Sequence, residues 1–154
     1  MLPDRGAALA VGLLVMVGLM ALGRKTGVTP ATPTHPIVGV ALTADWRVWL
    51  QVFVVAAIVA PVVEETFFRG ALYRHLRDAT AGLPRWQSVT VAVAASGFVF
   101  AVIHPQGWLG VPVLMALAAA FALARDWRGS VVAPILAHAI NNGATTFLLL
   151  LLAG

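Results

Sequence analysis

Long apolar runs alternate with short polar connections along the chain. Five runs, at about residues 7–23, 48–68, 86–104, 108–124 and 130–152, each approach the ~20 residues that a helix needs to cross a hydrocarbon core about 30 Å thick. The pattern predicts an all-α, multi-pass transmembrane helix bundle of about five spans. Arg5 precedes the first run and small residues end it, as in a signal peptide. Arg24 and Lys25 follow it directly, however, and its ~17 apolar residues exceed a signal core, so it reads as a retained anchor. Residues 24–47 carry Pro30, Pro33, Pro36 and several threonines, which disfavour a helix and mark a linker. The expected organisation is therefore an N-terminal anchor with a Pro/Thr-rich linker over 1–47 and a helical core over 48–152. Residues 69–85 hold Arg69, Arg74, Arg77, Asp78 and Arg85 and read as an amphipathic continuation of the second span.

Tryptophan supports the segmentation, because indole favours the headgroup level and Trp46, Trp49, Trp86, Trp108 and Trp127 all fall at proposed span edges. Composition agrees: 60% of the 154 residues are hydrophobic and 10% charged, where a soluble domain carries about 25% charged residues. The absence of cysteine excludes thiolate metal sites, disulfides and Cys nucleophiles. The net charge of +4 comes from arginines scattered between apolar runs, so the expected partner is the lipid bilayer and not a nucleic acid. Arg5, Arg74, Arg77, Arg85, Arg125 and Arg128 fall on one side of a five-span topology, against Arg24, Lys25 and Arg47 on the other, which predicts a cytoplasmic N-terminus.

Ionisable groups inside apolar runs are functional candidates, since a charge at the centre of a membrane helix costs about 2.5–3.5 kcal/mol even on insertion scales. The two glutamates, Glu64 and Glu65, are adjacent and end the apolar run from Val52 to Val63. Glu65 and Arg69 stand four apart with the acid first, the spacing of a helical ion pair. Glu64 points about 100° away with no cation at helical spacing, which makes it the candidate general base. His104 follows Phe100 by one turn, and His138 precedes Asn142 by one turn, each in apolar sequence. His35, in a Pro-flanked loop, and His75, among arginines, read as solvated bystanders, and Ser96-Gly97 as small-residue helix packing. Two carboxylates, two imidazoles and a carboxamide on separate helices suffice for peptide hydrolysis. Glu64, His104 and His138 would equally suit a divalent metal such as zinc. A noncatalytic immunity or partner-binding protein, or a proton-coupled transporter, would draw on the same residues.

The residues Glu64-Glu65-Thr66-Phe67-Phe68-Arg69, Phe100 to His104 and His138 to Asn142 resemble E-E-x-x-x-R, F-x-x-x-H and H-x-x-x-N, in that order. These are the three motifs of the CPBP intramembrane proteases, the Abi or CAAX-protease-like family that includes type II CAAX prenyl endopeptidases. The resemblance covers about residues 48–152, the family's four-helix catalytic core. It implies an endopeptidase that cleaves a membrane-associated protein or peptide. Glu64 with His104 would activate water, His138 and Asn142 would stabilise the oxyanion, and Glu65 with Arg69 would brace the first motif. A glutamate mechanism with no cofactor is favoured over a metal one, because a carboxamide is a better oxyanion donor than metal ligand. One conflict arises: the third span puts His104 at its far end, roughly 13 Å from the centre at ~1.5 Å per residue, whereas Glu64, His138 and Asn142 lie within about six residues of their span centres. The second helix must run on past Arg69, or the chain must break inward at Pro105-Gln106-Gly107.

Overall fold

The computed structural model describes residues 45–153, with side chains as far as Leu149. The anchor expected at about 7–23 and the linker with His35 lie outside the described residues. Those described form four helices: α1 (Trp46–Ala79), α2 (Arg85–Val102), α3 (Gly107–Arg128) and α4 (Val132–Ala153). There is no strand among the described residues. By length and composition α1, α2 and α3 can each cross a membrane, and α4 matches α3 at 22 residues.

Asp45 starts α1, its carboxylate accepting from the backbone N–H of Arg47 at 2.8 Å and Val48 at 3.2 Å. The helix then runs unbroken for 34 residues, about 50 Å at ~1.5 Å per residue, well past Arg69. Two wider π-helical turns interrupt its α geometry, Val55–Val59 and Thr66–Leu72. Such turns are uncommon and frequently mark functional sites. Thr80 ends α1, its hydroxyl 2.6 Å from that of Ser88 on α2.

The bundle's interior is made of small, aromatic and polar residues. Phe68, Phe100 and Ala118 form one buried cluster, and Tyr73, Ala92 and Ala122 another. Gly97 lets α3 come close, since a Cβ there would stand 3.4 Å from that of Ala118. The outside carries exposed Val55, Ile58, Phe98, Leu109, Leu123, Leu136, Ile140 and Phe147. This arrangement of small residues within and large apolar residues without suits a lipid solvent. Trp46, Trp86, Trp108 and Trp127 are exposed at helix ends as expected, whereas Trp49 is buried one turn inside α1.

At one end of the bundle Asp126 of α3 gathers three partners. It accepts from Tyr73 Oη at 3.2 Å and Arg85 Nη2 at 2.7 Å, and lies 3.7 Å from Arg77 Nε. Gly129 then closes α3 in the left-handed region at φ +65°, its N–H bonded to the Arg125 carbonyl.

Candidate active site

Glu65 and Arg69 lie at the centre of the packing, 0% and 1% exposed. The expected pair is present: Arg69 Nη1 donates to Glu65 Oε1 at 2.9 Å. Three further contacts were not legible from spacing. Arg69 Nη2 donates to the Ala118 carbonyl of α3 at 3.0 Å, and the guanidinium carbon lies 4.8 Å from the Phe100 ring centre and 5.4 Å from that of Phe121. These groups box in a fully desolvated cation.

Glu65 also reaches α4, where His138 Nδ1 stands 2.8 Å from the same Oε1. A carboxylate paired with a guanidinium is an acceptor only, so the imidazole donates from Nδ1. Its opposite nitrogen, Nε2, is then directed at Glu64 Oε2, 3.9 Å away. The His138 ring stacks on Phe121 with centres 4.8 Å apart and planes 19° from parallel. One oxygen of Glu65 therefore contacts both Arg69 of α1 and His138 of α4.

His104 follows the end of α2, in the turn between Val102 and Gly107. Its Nδ1 donates to the Phe100 carbonyl, a pure acceptor, and its ring lies 4.1 Å from that of Phe100. That leaves Nε2 facing Glu64 Oε2 at 3.6 Å. Of the two devices expected to bring His104 to Glu64, the extension of α1 past Arg69 is present, and the chain leaves helix over residues 103–106, which include Pro105 and Gln106.

Glu64 keeps 28% exposure, yet its Oε2 is buried with no hydrogen-bonded protein partner, between the two Nε2 atoms. Asn142, one turn beyond His138, is tied elsewhere: its Nδ2 donates to the Ala56 carbonyl of α1 at 3.0 Å, and its Oδ1 accepts from Asn141 at 3.2 Å. The structure thus brings Glu64, Glu65, Arg69, His104 and His138 into one connected cluster and sets Asn142 on the α1 backbone beside it. Among the described residues no three His, Asp or Glu side chains form a group able to hold a metal ion.

The geometry can be set beside known proteins. The model of the type II CAAX prenyl endopeptidase Rce1-like family matches residues 46–144, more than half of the chain. The chain belongs to this family. The match spans all three motifs, so membership in the Rce1-like family rests on the segment that holds the cluster. The chain is also similar to the membrane-embedded CAAX protease MroQ of Staphylococcus aureus (strain USA300), 30% identical over 87 residues. That match takes in 56% of this chain and 34% of the relative, so the chain spans well under two thirds of the relative's length. No solved structure matches it.

Proposed function

We propose that the chain is an intramembrane endopeptidase of the glutamate type, cleaving a peptide bond in a membrane-associated protein or peptide. The observation that carries this reading is the buried, unpartnered Glu64 Oε2 facing the Nε2 atoms of His104 and His138 at 3.6 and 3.9 Å. Glu64 Oε2 and His104 Nε2 are two acceptors 3.6 Å apart, suited to the two protons of a single water. Glu64 takes one proton as the water oxygen bonds to the scissile carbonyl carbon and the C=O electron pair moves to oxygen. His138, with Nδ1–H held by Glu65 and a second proton on Nε2, donates to that oxyanion together with an Asn142 N–H. Collapse of the intermediate breaks the C–N bond, and the proton carried by Glu64 goes to the departing amine. The buried Glu65 carboxylate holds the His138 ring through Nδ1, and Arg69 holds the same carboxylate oxygen in place.

No metal enters this reading. The metal content of active purified protein separates this mechanism from a metal-dependent one. The arginine-rich end formed by the last turns of α1 and α3 and the first of α2 is assigned to the cytoplasmic face by the positive-inside rule, and a cytoplasmic N-terminus then depends on the span expected at about residues 7–23.

The test is Glu64→Gln and His104→Ala in purified, lipid-reconstituted protein, with membrane proteomics to find a terminus that depends on Glu64. Both variants are expected to insert and to lose cleavage by at least ~10²-fold, the usual contribution of a general base. Retained cleavage in both overturns the proposal. Full biological activity in Glu64→Gln would favour a noncatalytic, partner-binding role.

A further inference from the structure

The π turn Val55–Val59 leaves one backbone acceptor without a donor of its own helix. In an α-helix the Ala60 N–H would bond to Ala56, but here it bonds to the Val55 carbonyl, five residues back. In the continuing π register the next donor to Ala56 would be residue 61, which is a fully buried proline with no N–H. The Ala56 carbonyl has therefore lost both intrahelical donors. Asn142 Nδ2 supplies the missing one at 3.0 Å. The helices are close here, since a Cβ on Gly143 would stand 3.6 Å from that of Ala57.

These contacts hold the Asn142 carboxamide at both ends. Its oxygen accepts from Asn141, and one of its two N–H bonds is fixed on Ala56. With the amide plane fixed, the direction of the second N–H is fixed too. We propose that Pro61, by vacating the Ala56 carbonyl, positions the Asn142 carboxamide so that its second N–H meets the reacting carbonyl oxygen. Pro61 is in this sense a positioning residue, and the inference rests on the catalytic reading of Asn142 above. A proline at this point costs α1 a backbone hydrogen bond, and the carbonyl it releases becomes the anchor for a side chain of α4.

The test is Pro61→Ala. The new N–H restores a donor to Ala56 in either register, from residue 61 if the π turn persists or from Ala60 if it relaxes to α, and so competes with Asn142. A purely structural proline would be replaced with unchanged turnover and KM. A positioning proline would be replaced with at least about a tenfold fall in kcat and little change in KM, short of the ~10²–10³ that loss of an oxyanion donor produces.

A second measurement is independent of activity: thermal unfolding of the purified chain carrying Asn142→Asp, alone and combined with Pro61→Ala. The expected result is a clear drop in midpoint with Pro61 present and a smaller drop when Pro61→Ala supplies the backbone donor. Equal drops in both backgrounds, or full kcat in Pro61→Ala, overturn the inference. Should Pro61→Ala fail to fold, Pro61→Ser restores the same N–H. Absence of any Glu64-dependent cleavage by the wild type would refute the protease reading and still leave the thermal comparison to decide the Pro61–Asn142 coupling.

Discussion

Replacing Arg69 by methionine keeps much of the side-chain volume and removes the charge on which the buried cluster depends. The guanidinium makes two hydrogen bonds, to Glu65 at 2.9 Å and to the Ala118 carbonyl at 3.0 Å, and both it and Glu65 are essentially sealed from solvent. Removing one partner of such a pair leaves an uncompensated buried charge, worth about 3–5 kcal/mol. The orphaned Ala118 carbonyl adds about 1–3 kcal/mol. The two terms share a neighbourhood and overlap, so the expected loss is about 4–6 kcal/mol, a large part of the ~5–15 kcal/mol that holds a typical domain together.

Two companion variants locate the source of that loss. Arg69→Lys keeps a cation but replaces the planar fork by a single ammonium, so one of the two acceptors weakens and about 1–3 kcal/mol is lost. Glu65→Gln combined with Arg69→Met removes the stranded carboxylate and should recover at least ~2 kcal/mol relative to Arg69→Met alone. The assay is reversible denaturant unfolding of the full chain in detergent micelles, followed by helical circular dichroism. If Arg69→Met stays within ~1 kcal/mol of the wild type, or if the double variant is no more stable than Arg69→Met, the guanidinium does not neutralise a buried carboxylate and the reasoning fails.

Other expectations follow from particular contacts. The chain has no cysteine, and a Cβ at Gly143 lies 3.6 Å from Ala57 Cβ, so Ala57→Cys with Gly143→Cys should form a disulfide under mild oxidation, read by gel mobility. Absence of that cross-link would contradict the α1–α4 packing. Asp126→Ala should lower stability by about 1–2 kcal/mol, chiefly through partly buried Arg77 and buried Tyr73, because the Arg85 arm of the cluster is largely exposed. By contrast, Asp78→Ala, which removes an exposed pair at 3.9 Å, should change the unfolding midpoint very little. Gly129→Ala forces a Cβ into the left-handed region at φ +65° and should cost about 1–2 kcal/mol. An unchanged unfolding curve there would mean that α3 ends in a different conformation.

The helical class and the approximate bounds of the four described helices were legible because a membrane helix needs a long apolar run, and runs of that length are hard to mistake. Glu65–Arg69 was legible for a similar reason: spacing of four on one helix is a contact by geometry alone. The link from Glu65 to His138 joins residues 73 apart, and only the packing of α1 on α4 creates it. A motif reading could name both residues and still miss that one carboxylate oxygen serves both the guanidinium and the imidazole. The depth of His104 was hidden for a different reason. Hydropathy counts the turn after Val102 as apolar, since Ile103 continues the run, and so extends the span through a residue that has already left the helix. The role of Pro61 was the least legible. A proline inside a helix predicts a lost hydrogen bond at a known place, but the carbonyl that is freed depends on whether the preceding turn is α or π. Only with the π register known does the free acceptor become Ala56 and not Ala57, and only then does the Asn142 contact have a backbone cause.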